Sequence, residues 1–196
     1  SGSAASPATP ATYAPGQDYQ FNITWSDAVG VDAVLFEHNF SGSWINVSPS
    51  GSAGDEYFLN LSNLAAGSYA WRSHANDSSS NSNISDTFSY LINPAADLVS
   101  LELNGLQDNL SIVFGAQSNA SASSISGTES LYRDGVFVSN PEVAVLGADT
   151  YNYTVISSGN KNYTGSEQTF FLEVNQTASS LNLTLDSVAD NLTVEK

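Results

Sequence analysis

The chain contains no cysteine and no methionine. It therefore has no disulfide framework, no thiol nucleophile and no thiolate metal site, and its stability has to come from packing and sheet pairing. Basic residues are almost as scarce: Arg72, Arg133, Lys161 and Lys196 face 20 acidic side chains, a net charge of −16 over 196 residues. Such a balance repels phosphate backbones and anionic lipid surfaces, which argues against nucleic acid as a partner. No apolar run approaches the roughly 20 residues of a spanning helix. The opening SGSAASPATPAT lacks the basic start and apolar centre of a signal peptide, so an exported protein would be already processed or an excerpt. Nor does any 3.6-residue periodicity persist for the length of a helix.

What the chain has instead is a repeat. Leu64 to Asn93 aligns without a gap on Leu146 to Asn175, at a spacing of 82. The same offset places Leu183 to Val194 on Leu101 to Ile112, with Asp-Asn-Leu in register. Two serial modules are expected, each large enough for a modest core, with a third copy begun. The expected boundaries are 1–16 for a Ser/Ala/Pro tail or linker, 17–95 and 96–176 for the two domains, and 177–196 for the surplus.

Asparagine is the second positive feature. Thirteen of 19 asparagines lie in Asn-X-Ser/Thr: Asn22, Asn39, Asn46, Asn60, Asn76, Asn83, Asn109, Asn119, Asn152, Asn162, Asn175, Asn182 and Asn191. With 45 Ser and Thr in the chain, chance placement gives about four. Half-buried strands spell Asn-apolar-Thr by alternation alone, as in NIT at Asn22 and NLS at Asn60. Alternation does not explain a polar face made of Asn, Ser and Thr in which Lys occurs only twice. N-glycosylation is expected, and with it an extracellular, surface-exposed protein. Asn46 is the weakest acceptor, because Pro49 follows Ser48.

The tail 1–16 has Tyr13 as its one large apolar group and is expected not to fold alone. YQFNITW (Tyr19 to Trp25) then alternates with Phe21, Ile23 and Trp25 on one face. Further strands follow in VDAVLFEHNF, SWINVS and EYFLNLS. GSYAWRSHA and TFSYLIN come next, joined by the polar loop NDSSSNSNISD. Short strands punctuated by turn residues continue after Pro94. This spacing predicts an all-β chain of antiparallel β-sandwiches.

Leu64-x-x-Gly67-x-Tyr69-x-Trp71 and Leu146-Gly147-x-x-x-Tyr151-x-Tyr153 resemble the corner before strand F of immunoglobulin-like domains, in which a Tyr hydroxyl ties back to the main chain. Trp71 and Tyr153 stand where antibody domains carry a disulfide Cys, so the resemblance is to the sandwich and not to its disulfide-bonded subtype. WRSHANDSSSNSNISDTFSYLIN, LYRDGVFVSNP and LGADTYNYTVISSGNKNYTGSEQTF resemble the repetitive Ig-like modules of large archaeal cell-surface glycoproteins. The resemblance covers most of residues 17 to 196 and implies tandem Ig-like sandwiches in a rod-like scaffold, without an active site.

Chemistry is thinly signalled. His38 and His74 are the two imidazoles, and with Ser and Asp this abundant a Ser/His/Asp set carries little information. His38 is expected on the solvated side of its strand. No catalytic or metal residues are assigned, and the only cofactors expected are covalent N-glycans. Asp77, Ser79, Asn81 and Asn83 alternate like calcium-loop ligands but lack the Gly and Glu such a loop needs, so a hairpin loop is the default. Isopeptide crosslinking needs a buried Lys, whereas Lys161 lies in the polar GNKNYTG and Lys196 is terminal.

The ends of the chain suggest assembly. The first module shows only the tail where the second has Leu101-Glu-Leu103, as if an edge strand were missing. The surplus after residue 177 offers Leu183, Leu185, Val188, Leu192 and Val194 as a donor strand. Two explanations stay open: a longer array of repeats, or head-to-tail donor-strand exchange between copies, which would build a filament. The functional expectation is a non-enzymatic structural glycoprotein of a surface fibre or stalk. The alternative is an adhesin that binds carbohydrate or a neighbouring cell through FSGSWINV around Trp44.

Overall fold

The computed structural model describes residues 2–178. The proposed donor residues Leu183, Leu185, Val188, Leu192 and Val194 lie outside the described residues, as do the sequons at Asn182 and Asn191. Every regular element described is a strand, so no helix there is long and apolar enough to cross a membrane.

The first sandwich comprises β1 (Ser3–Ser6), β2 (Ala11–Thr12), β3 (Asp18–Thr24), β4 (Val31–His38), β5 (Ile45–Val47), β6 (Gly51–Ala53), β7 (Glu56–Ser62), β8 (Gly67–Asp77), β9 (Ser82–Ile84) and β10 (Phe88–Asn93). One sheet runs β1-β3-β7-β6 and the other β2-β10-β8-β4-β5, with β9 on the far half of β8. Those are the immunoglobulin-like orders A-B-E-D and A′-G-F-C-C′. Alternation fixes which side chains enter. Tyr19, Phe21 and Ile23 of β3 are buried, as are Val34 and Phe36 of β4, Trp71 of β8, and Tyr90 and Ile92 of β10. Phe21 lies at the centre, with its ring 4.5 Å from that of Phe40, 5.0 Å from Tyr90 and 5.7 Å from Trp71. Each such side chain contributes about 1.5–3 kcal/mol by leaving water.

Residues 1–16 do not form a free tail. β1 pairs antiparallel with β3, from Ser3 opposite Ile23 to Ser6 opposite Gln20, and β2 pairs parallel with β10. The segment thus starts in one sheet and finishes in the other, with Pro7 and Pro10 in the link, where the missing N–H groups stop continuous pairing. Composition hides this because main-chain hydrogen bonds need no large side chain. Ala11, small as it is, is 6% exposed. The edge strand expected to be missing from the first module is therefore present.

After β11 (Ala95–Ala96), the second sandwich comprises β12 (Val99–Leu103), β13 (Leu110–Val113), β14 (Gln117–Ser124), β15 (Glu129–Arg133), β16 (Val136–Val138), β17 (Glu142–Val145), β18 (Thr150–Ser157) and β20 (Ser166–Asn175). The short β19 (Tyr163–Thr164) pairs with β11. The sheets run β12-β14-β17 and β13-β20-β18-β15-β16. β12 and β13 repeat the switch of β1 and β2, with β13 parallel to β20. By this topology the counterpart of Phe21 to Trp25 in the second sandwich is β14. Leu101, Leu103, Ala120, Leu131, Tyr153, Val155, Leu172 and Val174 are the buried apolar side chains of the second sandwich. Tyr153, Leu172 and Val174 sit 82 residues after Trp71, Tyr90 and Ile92, all six of them buried.

The chain divides into two compact units. One holds Ser1–Val99, Ser123–Glu129 and Ile156–Glu167, and the other Ser100–Ala122, Ser130–Val155 and the described part of Gln168–Lys196.

Candidate functional site

The corner motif closes as the sequence predicts. Tyr69 donates its hydroxyl to the carbonyl of Ala65 at 2.7 Å, and Tyr151 donates to Gly147 at 3.1 Å. Trp71 and Tyr153, the residues at the disulfide position, are 2% and 0% exposed. These contacts position a sheet and do no chemistry.

The sequon asparagines line the outside. Asn46, Asn60, Asn83, Asn109, Asn119, Asn152 and Asn175 are exposed, and Asn22, Asn39, Asn76 and Asn162 are half-buried. Their amides divide by which atom the protein uses. Oδ1 accepts a hydrogen bond in Asn39 (from Ala70 N–H), Asn60 (from Gln20), Asn83 (from Ile84 N–H), Asn109 (from Phe171 N–H), Asn152 (from Thr154) and Asn162 (from Ala66 N–H). Nδ2 donates only in Asn76, to Asp32, and in Asn175, to Ser111. N-glycosylation takes one Nδ2 hydrogen and leaves Oδ1 as an acceptor. In nine of the eleven described sequon asparagines Nδ2 has no protein partner.

The outer face of the β4–β8 ladder carries a small ion-pair cluster. Glu37 and Arg72 are opposite each other in register. Glu37 Oε2 is 2.5 Å from Arg72 Nε and 2.7 Å from His74 Nε2. Hydrogen bonding from Arg72, and secondly from His74, holds the Glu37 carboxyl down to about 2. The Arg72 guanidinium also lies over the Trp44 ring, 5.5 Å from its centroid, a cation–π contact. Trp44 is 47% exposed in the β4–β5 connection. It is not buried between the sheets, yet among the described residues no second aromatic ring joins it to form a groove. Beside His74 lies a shallow hollow of about 320 Å³ bordered by Leu35, Asn76, Ser82 and Ile84.

His38 is not solvated. Alternation from Val34 through Phe36 carries it into the core at 3% exposure, its ring 4.9 Å from that of Phe40. Its Nδ1 accepts the Phe40 N–H at 3.3 Å, Nε2 has no partner, and burial pushes its pKa below the ordinary imidazole value. Asp77 is a loop organiser: its carboxylate accepts from the Ser79 and Asn81 N–H groups at 2.8 Å and from Asn81 Nδ2 at 2.7 Å. Among the described residues no three His, Asp or Glu side chains converge as metal ligands.

Two buried polar groupings escaped the sequence reading. Asp97, 3% exposed, accepts from the Ser126 hydroxyl at 2.5 Å and from the Ser157 hydroxyl, and Thr128 completes the hydroxyl ring. In the second sandwich Glu142 takes Arg133 at 2.5 Å on one oxygen and the Tyr153 hydroxyl at 2.7 Å on the other. Burial and then this bond to Glu142 push the Tyr153 phenol up to about 12. Both groupings are satisfied internally, and their members are too far apart in sequence for spacing to reveal them.

No family model matches the sequence, and no curated protein is similar to it. Among solved structures, the chain is similar to the fibronectin(III)-like modules of Clostridium thermocellum CbhA at 14% identity. The match covers 86% of this chain and 92% of that one, with a TM-score of 0.33. A membrane-anchored protein from Corynebacterium diphtheriae matches at 8% identity over 94% of this chain and 58% of that one, TM-score 0.37. SGBP-B of the Bacteroides ovatus mixed-linkage glucan utilization locus, in complex with a mixed-linkage heptasaccharide, matches at 22% identity over 82% and 42%, TM-score 0.23. The sandwich assignment rests on strand order and register.

Proposed function

We propose that the chain is a non-enzymatic structural module of an extracellular surface protein, N-glycosylated along its sheet faces and loops and serving as part of a stalk or fibre. The observation that carries this reading is the placement of the sequons: all eleven described acceptors lie outside the buried core, and nine keep Nδ2 free of protein partners. The absence of cysteine and a polar face built from Asn, Ser and Thr agree with it. β1 already occupies the edge beside β3. That favours serial modules over head-to-tail donor exchange, which had been motivated by a vacancy there. Expression in a host that installs N-glycans, followed by glycopeptide mapping, tests the reading: occupancy is expected at Asn22, Asn60, Asn83, Asn109, Asn119 and Asn152. Bare asparagines throughout would refute it. Electron microscopy of native material separates stalks from dispersed chains, and filaments lost on deleting residues 177–196 would reinstate donor exchange.

A second reading has its own observation. Trp44, exposed beneath the Arg72 guanidinium and beside the Glu37–His74 pair, offers a ring and fixed polar groups to a neutral sugar. Glycan-array binding that Trp44→Ala abolishes would favour an adhesin.

A further inference from the structure

Several sequon asparagines are placed, by register, against large apolar side chains on the outer faces. In the β3–β7 ladder Asn22 is directly opposite Phe58. Asn60, two residues beyond Phe58 on the same strand, shares that face. In the β14–β17 ladder Asn119 is opposite Val143, which is 52% exposed. Asn109 accepts the N–H of Phe171, whose side chain is 46% exposed. Asn22–Phe58 and Asn119–Val143 are opposed on antiparallel strands, where Cβ atoms lie about 4.5–5.5 Å apart, so a group attached to either amide starts alongside its apolar neighbour. Asn22 adds an independent sign: its Oδ1 is shut from solvent without a partner, which turns Nδ2 toward the surface.

These apolar groups are a liability if left bare. β17 is the last strand of its sheet among the described residues, and it shows Val143 and Val145 at 52% and 61% exposure. An unpaired edge bearing exposed valines is a template for association. A pyranose ring has an apolar C–H face and a hydroxyl rim, so it can lie on a valine or phenyl group while presenting polar groups to water.

We propose that N-linked glycans on Asn22, Asn109 and Asn119 fold back over Phe58, Phe171 and Val143 and form the outer cover of these sheets. The proposal rests on the glycosylation reading above. The chain's own glycan is the occupant because its attachment point is already within reach of each patch, and because glycans so placed would bar a protein partner from the same faces.

Thr24→Ala and Ser121→Ala remove the sequons at Asn22 and Asn119 while leaving both asparagines in place. In glycosylated protein of mapped occupancy, each is expected to lower Tm by about 2–4 °C, and to do nothing comparable in protein made without glycans. Phe58→Ser should abolish the effect of T24A, and Val143→Ser that of S121A. Nuclear Overhauser contacts between sugar C–H protons and the Phe58 ring give a readout that needs no variant to fold. Occupied sites with the same Tm loss in the presence and absence of Phe58 and Val143, and no sugar–ring contact, would overturn the cover while leaving glycosylation standing. Bare Asn22 and Asn119 would overturn both, and a glycosylated chain that dimerises through these faces would overturn the cover.

Discussion

Tyr69 reaches back four residues to donate its hydroxyl to Ala65 at 2.7 Å, fixing the turn that launches β8. Its repeat partner Tyr151 makes the longer bond to Gly147, 3.1 Å, in a more exposed setting. Removing one neutral, partly buried hydrogen bond costs about 1 kcal/mol. Tyr69→Phe is therefore expected to destabilise by about that amount, and Tyr151→Phe by less, in urea unfolding curves. Equal losses, or none from Tyr69→Phe, would contradict the corner's role.

Gly159 has φ +67°, and a Cβ there would lie 2.4 Å from the Tyr163 carbonyl oxygen and 2.7 Å from the Gly165 nitrogen. Those are main-chain atoms and cannot swing aside. Gly127, at φ +69°, has open space instead. Gly127→Ala should cost only the left-handed conformation, about 1 kcal/mol, while Gly159→Ala should cost at least about 2 kcal/mol. Thermal unfolding of the two variants side by side checks the ordering.

Acid should weaken the first sandwich in two stages. His38 is buried neutral, so its folded pKa lies below the unfolded 6.5 and the unfolded chain binds more protons as pH drops beneath that value. Stability is complete above 6.5 and declines below it. Glu37 has its pKa held at about 2 by Arg72 and then His74, against 4.5 when free. Its contribution is complete above 4.5 and lost as pH falls toward 2. Denaturation midpoints measured against pH should lose the upper stage in His38→Gln and only part of the lower stage in Glu37→Gln, because hydrogen bonds from Asn81 and Ser79 also hold the Asp77 carboxyl below its ordinary value. A His38→Gln profile that still falls between pH 6.5 and 5 would contradict the assignment.

The tryptophans should separate in fluorescence. Trp71 is 2% exposed and Trp44 47%. Acrylamide is expected to quench the Trp44 contribution and spare that of Trp71. Trp44→Ala should leave stability within about 0.5 kcal/mol, as exposed substitutions do. Trp71→Ala should cost about 3–5 kcal/mol through the cavity it opens.

The strands with large alternating side chains were legible, because burial repeats with the two-residue period of the backbone. Tyr19, Phe21 and Ile23 show this in β3, and Tyr90 and Ile92 in β10. His38 follows the same period, counted on from Val34 and Phe36, into the core despite a polarity that points to the solvated face. β1 was missed because Ser3-Ala4-Ala5-Ser6 pairs through main-chain groups that every residue possesses. Glu142, Arg133 and Tyr153 are unremarkable apart, and only the packing of two sheets brings Arg133 and Tyr153 within 2.7 Å of the Glu142 carboxylate.

By itself the sequence determined the all-β class, the 82-residue repeat, the tyrosine corner and the thirteen sequons, all of which are local patterns or comparisons of one stretch with another. Only the tertiary structure decided that the first sixteen residues complete both sheets, that His38 is a core residue, and that Asn22 faces Phe58 and Asn119 faces Val143. The reason is register. Which residues stand opposite each other depends on how distant strands slide into hydrogen-bonded alignment, a choice made by the whole buried face at once and written in no single segment.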